Sequence, residues 1–262
     1  MRAVRPWVAP ALYLAVATAS CFLFTAFVPP LLDPAAAASL PVVGALPGDL
    51  PGYWVRFGLS LLLLGLLPLA VALALGFRPA DLGLSLGARV LRRPLFWAFV
   101  PLAVAVGAIG SLSPDLAAYY PYTHGLPAAV RTHGVGPLVL HAAAYLVLYY
   151  VPWEFFFRGF LLLGLLAGLE RGFPPARPAA DPPAAVAPST AVVLVVLFQT
   201  LPSTMLHVGH PLSEFFAAIP AGIAFGVLAW RTRSIVPGLV LHATVGLATD
   251  VTIVLHAMRA GV

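Results

Sequence analysis

The sequence predicts an all-α, polytopic membrane protein, a bundle of about seven to eight transmembrane helices. Three observations carry that expectation. Of 262 residues, 61% are hydrophobic and 9% charged, with a mean hydropathy of +0.98. A soluble domain is instead about 45–50% apolar and about 25% charged. The apolar residues gather into runs near the length, about 20 residues, that crosses about 30 Å of hydrocarbon. The 14 basic residues are all arginine, and most fall on one side once those runs are threaded through a bilayer. Lipid, not one protein core, must cover the apolar excess. The pI near 9.8 therefore reads as charge asymmetry, and no nucleic-acid partner is expected. A single cysteine, Cys21, excludes an intrachain disulfide framework and any cysteine-based zinc cluster.

The first span runs from Trp7 to about Val28, with Arg2 and Arg5 in front and Pro29-Pro30 behind. Thr18-Ala19-Ser20-Cys21 imitates a lipoprotein cleavage box, but the apolar run continues beyond it, so the segment reads as an uncleaved helix. Spans two and three cover about Trp54–Gly76 and Leu95–Leu112. The fourth region, Leu138–Leu169, holds Pro152 and would measure about 48 Å as one helix. A single helix is favoured over two segments. Spans five to seven cover about Ala191–Leu206, Glu214–Trp230 and Ile235–Leu255. Residues 30–53 and 113–136 read as external loops, and 170–190, with six prolines, as a flexible cytoplasmic linker.

With a cytoplasmic N-terminus, the cytoplasmic side carries Arg2, Arg5, Arg78, Arg89, Arg92, Arg93, Arg171, Arg177, Arg231 and Arg233. The other side keeps Arg56, Arg131 and Arg259. That asymmetry supports the threading. Residues 1–137 then form an N-terminal part with spans one to three, and residues 138–262 the part that holds the polar motifs.

Ionisable side chains inside spans cost about 2.5–3.5 kcal/mol on insertion scales and are functional candidates by default. Here they are His141, Glu154, Arg158, His207, His210, Glu214, His242 and Asp250. Glu154 and Arg158 lie four apart on one helical face and can pair. The aromatic run Trp153 to Phe157 makes their surroundings dry, so the carboxylate can serve as a general base on water. His207 and His210 lie one turn apart, with Pro211 and Glu214 following, and His242 sits deep in the last span. Asp250, eight residues further, is about 80° round that helix and near enough to share a partner. His141 and His256 are assigned structural roles.

Two patterns carry no chemistry. Gly83-Leu84-Ser85-Leu86-Gly87 fits G-x-S-x-G but lies in a loop between spans, without the sheet a nucleophile elbow requires. Gly164/Gly168 and Gly222/Gly226 are small-residue seams for helix packing.

The polar residues together resemble the motifs of the CPBP family of intramembrane proteases, named for the CAAX prenyl proteases and bacteriocin-processing (Abi) enzymes. The first motif, E-E-x-x-x-R-G, is matched at Glu154, Arg158 and Gly159, with Trp153 in place of the first Glu. The second, F-x-x-x-H, falls on Ser203 to His207, with Ser203 in place of Phe. The third, H-x-x-x-N/D, starts at His242 after Ser234-Ile235-Val236-Pro237, with Gly246 at the Asn/Asp position. The similarity covers about residues 138–250.

The resemblance implies an endopeptidase of metallo- or glutamic type acting on a membrane-associated or prenylated peptide, in a bacterial inner membrane. It makes Glu154 the base, His207 its partner, His242 an oxyanion donor and Arg158 an orienting charge, with His210, Glu214 and Asp250 as auxiliaries. It also implies zinc as a cofactor, with His207 and His242 as ligands, although a glutamate–histidine water site needs no metal. Because Trp153 and Gly246 replace motif residues, a catalytically inactive membrane scaffold on the same fold stands as the alternative.

Overall fold

The computed structural model describes residues 8–27, 37–172 and 189–260. Among them every regular element is helical and none is a strand. The linker expected at 170–190 lies mostly outside the described residues, as do Arg2, Arg5 and Arg177.

Seven main helices follow in order: α1 Val8–Phe27, α2 Leu50–Ala74, α3 Pro94–Gly110, α4 Gly136–Arg171, α5 Thr190–Met205, α6 Leu212–Thr232 and α7 Val236–Ala260. Five are long and apolar enough to cross a membrane: α1, α2, α4, α6 and α7. With their lipid-like composition they make this an integral membrane protein. The expected third and fifth spans, α3 and α5, are apolar but have 17 and 16 residues, about 26 and 24 Å of rise. Local chemistry bounds both. Pro94 opens α3 directly after Arg93, where a missing N–H costs nothing. Ser189 opens α5 by accepting from the Val192 amide at 3.4 Å.

The region expected over 138–169 is one continuous helix of 36 residues. Pro152 has no amide to donate and would crowd the carbonyl a turn earlier. The helix absorbs it by widening: π-type turns at Tyr145–Tyr150 and Phe155–Gly164 flank the α-turn Val151–Glu154. Such widenings gather at functional segments.

The described residues fall into two compact units that do not follow chain order. The first takes residues within 1–23, 63–87 and 153–238, and the second residues within 24–62, 88–152 and 239–262. Each therefore draws on both sides of residue 137.

In the first unit, Leu162 and Leu166 of α4 pack with Val192, Val195 and Val196 of α5 and Ala229 of α6. Gly222 and Gly226 form the expected seam: an added Cβ would meet Thr200 at the first and Gln199 and Val196 at the second. Gln199, buried on α5, donates from Nε2 to the Gly222 carbonyl at 2.9 Å. Tyr13 of α1 stacks on Phe160, with centroids 4.0 Å apart, and its hydroxyl donates to the Phe160 carbonyl at 2.7 Å. Gly164 leaves room for that hydroxyl. The G-x-S-x-G loop is a docking turn, as expected from the lack of a sheet. Ser85 donates to the Arg233 carbonyl, Ser234 donates to the Ser85 carbonyl, and the Ile235 amide donates to Gly83 at 3.1 Å. Ser234 also caps α7 by accepting from the Val236 amide at 3.1 Å.

In the second unit, the short helix Leu126–His133 packs Leu126 and Val130 against Val254 of α7. Thr249 donates to the Gly107 carbonyl at 3.2 Å, where α3 and α7 approach closely. Phe57, Tyr122, Tyr145 and Tyr149 form an aromatic cluster, and the Arg56 guanidinium lies 4.7 Å over the Tyr122 ring. Polar groups inside and large apolar side chains outside, such as Leu95, Trp97, Phe99 and Ile109 of α3, invert the soluble pattern as lipid requires.

Candidate functional site

In the first unit the candidate residues form two clusters. Glu154 and Arg158 are both buried, with Arg158 Nη1 3.2 Å from Glu154 Oε1. The spacing in sequence anticipates this pair. Aromatic rings enclose it: the guanidinium carbon lies 5.9 Å from the Phe157 centroid and 5.6 Å from that of Phe225. Glu154 Oε2 faces Gly238, where an added Cβ would come within 3.2 Å. A carboxylate and a guanidinium in this dry setting neutralise each other, and losing either would leave a bare charge. The buried Arg158 Nε has no hydrogen-bond partner among the described residues, which leaves the guanidinium a donor beyond the ion pair.

Trp153 precedes this pair on α4 and is 3% exposed. Its indole lies edge-on to the His207 imidazole, with centroids 5.5 Å apart, and against Phe157 at 4.9 Å. The substituted first-motif position thus touches the second-motif histidine.

The second cluster is built by the turn from α5 to α6. Backbone bonds from His207 to Thr204 at 2.9 Å and from His210 to His207 at 3.0 Å wind residues 204–210 tightly. Gly209 adopts φ +95°, a conformation that a side chain would strain. Pro211 then starts α6, and Glu214 sits in its first turn, where the helix dipole favours a carboxylate. The His207 and His210 rings come within 5.0 Å of each other. Glu214 Oε1 is 3.1 Å from His210 Nδ1 and 3.8 Å from His207 Nε2. His207 Nδ1 donates to the Ser203 carbonyl at 2.7 Å, which fixes its tautomer. One ligand atom from each of these three residues lies within 4.8 Å of the others, near enough to hold a single ion.

The second unit holds the remaining candidates. His242 packs edge-on to Tyr150, with centroids 5.0 Å apart. Gly246 lies directly against the Tyr150 hydroxyl, so that a Cβ there would overlap it. The tyrosine therefore occupies the space in which the third motif carries its Asn or Asp. Asp250 accepts from His141 Nε2 at 2.8 Å, and Thr123 lies 3.0 Å from His141 Nδ1. His141 and Asp250 are both buried, and Asp250 takes His141 as a partner. Of the two histidines expected as metal ligands, His207 belongs to the first unit and His242 to the second.

Sequence reasoning overlooked Tyr150, Gln199 and Thr123. Only Gln199, an amide deep in an apolar span, gave a signal that could have been read. A tyrosine with three others on α2 and α4 is indistinguishable from packing until its hydroxyl is seen against Gly246.

No curated protein and no solved structure matches the chain. Residues 134–248 match the family model of the Rce1-like, type II CAAX prenyl endopeptidases. The match spans Glu154, Arg158, His207, His210, Glu214 and His242, and ends before Asp250. Over residues 134–248, less than half of the chain, the protein is thus similar to the Rce1-like type II CAAX prenyl endopeptidases, in keeping with the CPBP motifs that it resembles.

Proposed function

We propose that the protein is an intramembrane endopeptidase that hydrolyses a peptide bond of a membrane-associated or prenylated peptide. The observation that carries this reading is Glu154, a carboxylate buried among aromatic rings beside the Arg158 guanidinium. A membrane helix rarely keeps such a group without a use for it. Arg158 holds Glu154 ionised and aimed. Glu154 takes a proton from water as that water attacks the scissile carbonyl carbon, and His207 assists the transfer. The proton then passes to the leaving amine as the C–N bond breaks. His242 donates a hydrogen bond to the oxyanion, as the resemblance implies.

The same reading has about seven to eight crossings, a cytoplasmic N-terminus and a bacterial inner membrane. The test uses protein reconstituted in lipid vesicles with prenylated and unprenylated peptides. Glu154→Gln and His207→Ala are each expected to slow cleavage by about 10²–10⁴-fold. Cleavage that survives both substitutions would overturn the proposal.

Trp153 supports a second reading. Its indole fills the first-glutamate position and packs on His207, as befits a scaffold that keeps the fold without the reaction. In that case Glu154→Gln lowers thermal stability in detergent, and no peptide is cut by either form.

A further inference from the structure

We propose that His207, His210 and Glu214 form a binding site for one divalent transition-metal ion at the turn between α5 and α6. Four observations converge on it. First, the spacing fits. Donors bound at about 2.1 Å to a tetrahedral ion stand about 3.4 Å apart, and Glu214 Oε1 is 3.1 Å and 3.8 Å from the two imidazole nitrogens.

Second, His207 is already oriented. Its Nδ1–H is committed to the Ser203 carbonyl, the outer-shell bond that metal-ligating histidines commonly make. Its Nε2 is the ring atom left to ligate, and it lies 3.8 Å from Glu214 Oε1. Third, one protonated imidazole would suffice for an ion pair with Glu214, yet two imidazoles converge on the same oxygen. Fourth, the three side chains are 12%, 10% and 22% exposed, which shelters the ion and leaves water access to a fourth position.

Two nitrogens and one oxygen suit zinc, cobalt or ferrous iron, whereas magnesium and calcium require mostly oxygen. The site makes no use of His242. It shares His207 with the proposed peptidase chemistry, and because binding is measured without substrate, the two readings succeed or fail separately.

The experiment takes full-length protein in detergent, stripped with a chelator, and titrates it with zinc alone and with cobalt alone. The expected result is one zinc per chain, a visible cobalt band of four-coordinate type, and a rise in melting temperature on adding zinc. His210→Ala and Glu214→Gln should each weaken zinc binding by about tenfold or more. His210→Cys, which keeps a zinc ligand, should retain the ion. Wild-type protein that binds no stoichiometric zinc would overturn the inference, as would equal binding by wild type, His210→Ala and Glu214→Gln. A loss in His210→Cys as large as in His210→Ala would also overturn it. Zinc bound by a protein that cuts no peptide upholds this site and defeats the peptidase. Cleavage by a protein that binds no zinc does the reverse.

Discussion

Glu154 and Arg158 are coupled tightly enough that stability and reactivity can be separated at single residues. Removing one member of a buried pair strands the other charge, at a cost of about 3–5 kcal/mol, whereas replacing both with apolar or neutral groups is often nearly neutral. Arg158→Met is therefore expected to lower the melting temperature sharply. Glu154→Gln combined with Arg158→Met should restore most of it and still cut nothing, as thermal melts and peptide assays on the same preparations would record. This pair was legible in the sequence because an i, i+4 spacing on a helix fixes which side chains meet. The contact between Trp153 and His207 was not, since it joins α4 to the end of α5 across a segment with no periodicity to read. The partner of Asp250 could not be named for a related reason. Helical angle put Asp250 near enough to His242 to share a partner, but an angle cannot reveal His141, which arrives from another helix and meets Asp250 at 2.8 Å.

Helices and their ends decide the rest of the site. The single α4 was legible from the length of its apolar run, but its two π-type widenings around Pro152 were not. They follow from how a fixed proline ring is accommodated and leave no trace in hydropathy. The turn from α5 to α6 depends on Gly209, whose φ of +95° would cost another residue about 1–3 kcal/mol. Gly209→Ala is expected to lower the melting temperature and to loosen the approach of His207 to His210. Zinc affinity should fall with it, although no ligand has been altered, and calorimetric titration checks this. If Gly209→Ala binds zinc as wild type does, that turn does not organise the ligands. The seams at Gly222 and Gly226 were legible as small residues one turn apart, and each faces α5 as such residues should.

For the molecule as a whole, composition alone was enough to establish a helical membrane protein, because 9% charged residues cannot clothe a soluble surface. The number of crossings was harder to read, since α3 and α5 are as apolar as the rest but shorter. Topology can be measured directly. In a Cys21→Ser background, Ala88→Cys and Thr132→Cys flank α3, and both positions are exposed. A membrane-impermeant maleimide is expected to reach them from opposite sides. Labelling of both from one side would mean that α3 does not cross. The two compact units could not have been read from the chain, because each is assembled from segments far apart in it.

Tyr13 gives that interleaving a cost during synthesis. Its ring and hydroxyl are satisfied by Phe160, so α1 lacks this partner until the 147 residues that separate the two have been made. Until then the phenol must be hydrated, bound by lipid headgroups or sheltered by the insertion machinery. A chain stalled before Phe160 would leave α1 undocked at this contact.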